Sequence, residues 1–195
     1  ATAGGYDEAR MYDSVGDNLY RTWPTHVIMS GASIYNRADG FGYTRGMATE
    51  GGYDEVRSYD SAGDDLYRAW SDRVVMNGDG YYNQSEGFEY TRGLAMAGGS
   101  DELRMYDTPG DDLFRTWHDH AIMNGAAYYN LAEGFEFQRG FSSSGADEAR
   151  LYDSPALDHV IAREWGAAVQ GDTTYSETNN FHLVRAYGEN GGVNT

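Results

Sequence analysis

Cysteine is absent from the 195 residues, which removes disulfides and thiolate metal sites. Lysine is absent too: all 14 basic side chains are Arg, against 31 Asp and Glu, giving a net charge of −17. A surface of that sign repels nucleic acid and anionic membrane and suits divalent cations or cationic polymers. No apolar run is long enough to span a bilayer, and no charged-then-apolar leader opens the chain, so membrane insertion is not expected. The first residue is Ala1 rather than Met, which suggests a processed or excerpted product. What the chain does have is aromatic side chains, among them 17 Tyr, and nothing in its composition points to disorder.

The chain repeats. Gly-Gly-Tyr-Asp-Glu at Gly4 and Gly51 becomes Gly-Gly-Ser-Asp-Glu at Gly98, a period of 47. Four units follow, over 4–50, 51–97, 98–143 and 144–190, in one array. Within each unit a Tyr-Asp is followed by a Tyr-Asn or, in the last unit, Tyr-Ser, and successive Tyr of this series lie 23 or 24 residues apart along the chain. Fixed periods in this range mark solenoids, propellers or arrays. Four units could make a four-bladed β-propeller, but blades have no reason to repeat in halves. A coil of about two dozen residues is instead the natural rung of a parallel β-helix. The expected fold is therefore an all-β parallel β-solenoid of about eight coils, about 38 Å long at roughly 4.8 Å per rung.

In Glu8-Ala9-Arg10-Met11-Tyr12-Asp13 the alternation puts Ala9, Met11 and Asp13 inward and Glu8, Arg10 and Tyr12 outward. The inward polar column reads Asp13, Asn36, Asp60, Asn83, Asp107, Asn130, Asp153 and then Ser176. Amides between carboxylates would place a donor beside each charge, so the column is expected to form a structural ladder. It resembles the Asn ladders of pectate-lyase-like β-helices. The outward face, Arg10 and Tyr12, Arg57 and Tyr59, Arg104 and Tyr106, Arg150 and Tyr152, is either a self-supporting ladder with Glu pairing to Arg, or a stripe on which sugar rings stack.

The acidic turns suggest one cofactor, calcium. Asp17, Asp64, Asp65, Asp111 and Asp112 lie in the turns Ser14-Val15-Gly16-Asp17-Asn18, Ser61-Ala62-Gly63-Asp64-Asp65 and Thr108-Pro109-Gly110-Asp111-Asp112, with Asp39, Glu86 and Glu133 in the neighbouring half-coil as further oxygen ligands. Gly and Asp are equally what any tight turn prefers. These turns resemble the Gly-x-Asp core of calcium-binding RTX nonapeptides, although here the motif returns only every 47 residues. The whole pattern resembles repeats of very large secreted or cell-surface proteins of planctomycete-type bacteria. That resemblance implies an extracellular or cell-surface, repetitive, structural or adhesive segment, and it carries no catalytic motif. Right-handed coiling follows from the crossover rule and the resemblance.

His118-Asp119-His120 sets two imidazoles on one side of a strand, yet only His26 echoes it in another unit. β-Helix lyases and hydrolases place unique acids or bases in a cleft of irregular loops; here every acidic column recurs and no long insertion exists. The chain is therefore expected to be non-enzymatic, a segment of a fibre, stalk or adhesin. The alternatives are a carbohydrate-binding surface and a calcium-stabilised secretion or surface-layer module. Its partner is expected to be itself, end to end or laterally, a larger parent chain, or a polysaccharide. The uncapped Gly-Gly motifs at both termini suggest an excerpt of a longer array or a module that stacks end to end.

Overall fold

A computed structural model describes residues 7–188 and 191. The opening Gly4-Gly5 motif and the closing residues 192–195 lie outside the described residues. The chain is all-β, a parallel-rich β-solenoid of about five turns rather than a barrel. Among the described residues no helix is long and apolar enough to cross a membrane.

Each repeat supplies five strands. In the first they are β1 (Glu8–Tyr12), β2 (Asn18–Thr22), β3 (His26–Gly31), β4 (Tyr35–Asp39) and β5 (Tyr43–Met47). The second has β6 (Glu55–Tyr59), β7 (Leu66–Ala69), β8 (Arg73–Gly78), β9 (Tyr81–Glu86) and β10 (Tyr90–Leu94). The third has β11 (Glu102–Tyr106), β12 (Leu113–Thr116), β13 (His120–Asn124), β14 (Tyr129–Glu133) and β15 (Phe137–Phe141). The fourth has β16 (Glu148–Tyr152), β17 (His159–Arg163), β18 (Gly166–Gln170), β19 (Tyr175–Asn179) and β20 (Leu183–Tyr187).

The strands form two ten-stranded sheets, ordered β1-β5-β9-β8-β7-β11-β15-β19-β18-β17 and β20-β16-β12-β13-β14-β10-β6-β2-β3-β4. Two continuous sheets of this kind are not radial blades, so the propeller alternative does not form. Within each repeat the second, third and fourth strands make an antiparallel meander, as β2-β3-β4 does. The first and fifth strands pair only in parallel, with strands of the same or an adjacent repeat. The chain crosses between the sheets three times per repeat, so successive meanders fall in alternate sheets.

The meander changes the count of turns. It consumes length while stepping backward along the axis, so a half-unit of 23–24 residues is not one rung. Parallel partners lie 35 to 39 residues apart instead, as in Arg10 with Arg45 and Arg45 with Gln84.

The alternation read from the sequence sets the core. Ala9, Met11, Val56, Leu103, Met105, Ala149 and Leu151 are buried, and each of the Val, Leu and Met side chains contributes about 1.5–3 kcal/mol on burial. Tyr20, Tyr67 and Phe114 lie wholly inside, and Phe88, Phe135 and Phe181 of the following repeats stack on them at centroid distances of 6.0, 5.9 and 5.8 Å. The room for these rings comes from Gly46, Gly93 and Gly140. A Cβ at those positions would fall 2.3, 2.6 and 2.4 Å from the ring of Tyr20, Tyr67 and Phe114 respectively. In the fourth repeat the aromatic–glycine pair is replaced by Val160 and Ala186.

Candidate functional site

The chemistry-bearing groups gather where the first strand of a repeat turns into the second. Extended backbone ends at Asp13, Asp60 and Asp107, and the Ser/Thr-x-Gly turn that follows returns the chain to Asn18, Asp65 and Asp112. The Asp65 carboxylate accepts the Ser61 N–H at 2.7 Å, the Ser61 hydroxyl at 2.8 Å and the Tyr81 hydroxyl at 2.6 Å. Asp112 does the same with Thr108 at 2.8 and 2.7 Å and with Tyr128 at 2.8 Å. The next repeat closes each corner. The N–H groups of Asn18, Asp65 and Asp112 donate to Asp54, Asp101 and Asp147 at 2.8, 2.8 and 2.7 Å.

At the corner where the third repeat meets the fourth, Asp107, Asp112 and Asp147 each bring one carboxylate oxygen within 4.8 Å of the others. Calcium takes oxygens at about 2.3–2.6 Å, so two of its ligands can lie up to about 5 Å apart, and the spacing fits. The three would supply part of a shell of six to eight oxygens. Each already accepts protein hydrogen bonds, so an ion would share oxygens that now serve the turn.

Crowding these carboxyls away from water favours their neutral forms. Burial raises Asp54, Asp60 and Asp147 above the ordinary carboxylate range, and neighbouring carboxylates add to the effect. Asp101 is pushed up to about 6, by burial first and then by the charges of Asp60, Asp65 and Glu136, against the hydrogen bond from the Asp65 N–H. The surface behaves oppositely: hydrogen bonds from Arg10, Arg45 and Arg150 hold Glu8, Glu86 and Glu148 below the usual range.

Two opposed pH effects follow. A carboxyl whose folded pKa is raised contributes stability fully present below its unfolded pKa and lost as pH rises through the folded one. A carboxyl whose folded pKa is lowered contributes stability that is lost as pH falls through its folded value. Melting temperature is therefore expected to rise as pH drops from neutrality through about 6, and to fall again below the ordinary Glu range. Relief of the −17 charge acts in the same direction on the first limb. Asp101→Asn should flatten that limb. Thermal scans across pH check this, and a midpoint that falls steadily on acidification from neutrality would contradict it.

The polar column expected from the sequence separates into two sets. Asp13, Asp60 and Asp107 accept backbone N–H groups of the segment that leads into the next repeat, from Thr49 and Glu50, Met96 and Ala97, and Ser143 and Ser144. Asn83 and Asn130 accept the hydroxyls of Thr44 and Thr91, both at 2.7 Å, and donate to the carbonyls of Trp23 and Trp70. Asn36 is exposed on β4 and Asp153 is buried after β16. Asp and Asn do not alternate in one ladder, because Tyr-Asp ends a first strand while Tyr-Asn begins a fourth.

The expected calcium ligands also divide. Asp65 and Asp112 belong to the corners, whereas Asp17, Asp64 and Asp111 accept the N–H of Tyr53, Ser100 and Ala146 in the next repeat. Asp39, Glu86 and Glu133 do not join them; they pair with Arg37, Arg45 and Arg92. Asp54, Asp101 and Asp147 were missed, although their recurrence behind each Gly-Gly or Gly-Ala is a signal. Glu89 and Glu136, further along the chain, accept the N–H of Asp54 and Asp101 at 2.9 and 2.8 Å.

On the outer face the Glu–Arg pairs form as read: Arg10 with Glu8, Arg57 with Glu55, Arg104 with Glu102 and Arg150 with Glu148. The Tyr side chains do not form an open stripe. Tyr59, Tyr106 and Tyr152 each lie face to face with Trp23, Trp70 and Trp117 at 4.8 Å, and only Tyr12 of the four is largely exposed, at 53%. His26 and His120 extend the stacks on Trp23 and Trp117 at 4.5 and 4.3 Å, and Arg73 covers Trp70 at 4.4 Å. His120 thus packs as a ring with Asp119 on its Nδ1 at 2.7 Å.

Comparison with protein-family models, with curated proteins and with solved structures found no match to this chain.

Proposed function

We propose that the chain is a non-enzymatic structural segment of an extracellular or cell-surface fibre, stalk or adhesin. The observation that carries this is where the carboxylates are spent. Asp17, Asp64 and Asp111, and likewise Asp54, Asp101 and Asp147, bind backbone N–H groups across the boundary between repeats, while Asp13, Asp60 and Asp107 hold the segment that leads up to it. They act as fasteners from one turn to the next. A catalytic acid or base needs a reacting atom within reach, and these groups already face donors of their own chain. The aromatic faces are likewise occupied, which leaves a sugar ring few platforms and speaks against the carbohydrate-binding alternative.

A panel of neutral and acidic polysaccharides tests the proposal. The chain is expected neither to bind nor to cleave any of them. Binding abolished by Tyr12→Ala or Tyr35→Ala would replace the structural role with a glycan-binding one.

The second reading, calcium stiffening, draws on the spacing of Asp107, Asp112 and Asp147. An ion that binds only the folded chain raises stability by mass action. It would also favour the ionised carboxylates and so reverse the pH limb described above. Melting curves in millimolar calcium and in chelator that coincide at neutral pH would remove this reading.

A further inference from the structure

Inside the array every outgoing edge meets an incoming one. β2 pairs in parallel with β6 of the next repeat, and β5 with β9. The corresponding strands of the fourth repeat, β17 and β20, lie at the margins of the two sheets, as do β1 and β4 of the first. The core aromatics show the same asymmetry. Tyr20, Tyr67 and Phe114 are each covered by a Phe of the following repeat. Their counterpart Val160 is 45% exposed. Beside it opens a cavity of about 520 Å³ whose lining includes Ala162, Trp165, Phe181, Val184 and Ala186. At the other end Phe41, counterpart of Phe88, Phe135 and Phe181, is only partly buried, and Asp7, counterpart of Asp54, Asp101 and Asp147, is exposed.

We propose that the β17 and β20 edge receives the β1 and β4 edge of a second copy of this chain, whose Phe41 enters the cavity beside Val160. The occupant follows from continuity with the interface between repeats, which this contact would extend. β1 shares a sheet with β17, and β4 with β20, so a copy meets the edge in the correct phase. Internal register carries over. Arg21 opposite Arg57 places Ile161 opposite the second copy's Arg10, and Arg45 opposite Gln84 places Arg185 opposite the second copy's Arg37.

The N–H of Asp158 then meets the second copy's Asp7, as that of Asn18 meets Asp54 at 2.8 Å. Arg185 comes beside the second copy's Asp39, as Arg45 does with Glu86 at 2.7 Å. One hydrogen bond is lost: Val184 stands where Thr44 and Thr91 donate to an Asn. Contacts between copies are therefore weaker than contacts within one. A head-to-tail contact of this type does not close, so it builds a filament.

The inference rests on the structural role proposed above and is tested separately from it. The 195 residues include no cysteine, so an Arg10→Cys/Ile161→Cys double variant carries thiols only on the first and last repeats. Mild oxidation is expected to give a ladder of covalent multimers, and an Arg10→Cys/Arg104→Cys variant no ladder. Val160→Arg, at an exposed site whose folding the melting curve verifies, should weaken self-association in sedimentation at least about tenfold by placing a charge in the cavity. A chain that stays monomeric at high concentration and gives no ladder overturns the docking while leaving the structural role intact. An undiminished ladder when Val160→Arg is added to the double-cysteine variant also overturns it. Binding of a polysaccharide would sink the structural role without removing the ladder.

Discussion

Phe114→Ala is expected to lower the free energy of unfolding by about 3–5 kcal/mol, the usual range for truncating a fully buried aromatic. Phe114 is wholly buried on β12, with Phe181 of the fourth repeat stacked on it at 5.8 Å and Gly140 against its edge. Neighbouring backbone is fixed by ladders on both sides, β12 to β13 and β12 to β16, so the hole cannot collapse. Gly140→Val attacks the same contact from the other side, since any Cβ there would sit 2.4 Å from the ring, and overpacking of this kind costs about 1–3 kcal/mol. The chain contains its own control, because the fourth repeat carries Val160 and Ala186 at these two positions. A Phe114→Val/Gly140→Ala double variant should therefore cost less than the sum of its single variants. Denaturant titration of the four proteins measures the coupling, and strict additivity would refute the assigned contact.

Asp65→Ala is the second large effect, about 2–6 kcal/mol, because two donors lose a buried acceptor at about 1–3 kcal/mol each. They are the N–H of Ser61 and the hydroxyl of Tyr81, and the Ser61 hydroxyl is left with them. Asp65→Asn should cost less. Asn18 occupies this corner in the first repeat and donates to the carbonyl of Ser14 and to Asp54. That repeat has Ile34 where the second and third have Tyr81 and Tyr128, so Asn goes with Ile and Asp with a hydroxyl. Tyr81→Phe combined with Asp65→Asn should accordingly be milder than Asp65→Ala. A loss within about 0.5 kcal/mol for Asp65→Ala, the range of an ordinary surface change, would show that the corner bears no strain.

The faces of the strands were legible in the sequence, but their partners were not. Alternation in Glu8-Ala9-Arg10-Met11 names the buried side whatever strand lies alongside. The inward Asp13 was legible for the same reason. The backward meander was hidden, because Val27-Ile28-Met29 is a run of three buried residues that reads as strand without direction. The recurrence of Tyr at 23–24 residues was real but joined unlike places, a strand end at Tyr12 and a strand start at Tyr35. Once the true register is in place, the absence of lysine acquires a reason. Arg21, Arg57 and Arg92 lie on adjacent strands, as do Arg68, Arg104 and Arg139, and Arg115, Arg150 and Arg185. Flat guanidinium groups can stack at strand spacing with Glu beside them, whereas compact ammonium groups on flexible stems cannot.

The three sheet crossings in each repeat have a consequence for any length of such a rod. One repeat ends half a revolution out of step with its start, so equivalent side chains look in opposite directions in odd and even repeats. The true translational unit is a pair of repeats, related to each other by a screw of two-fold character. Deleting one repeat would turn everything beyond the cut to the opposite side, whereas deleting two would only shorten the rod. The parity of the repeat number therefore decides which way a group attached at the far end will point.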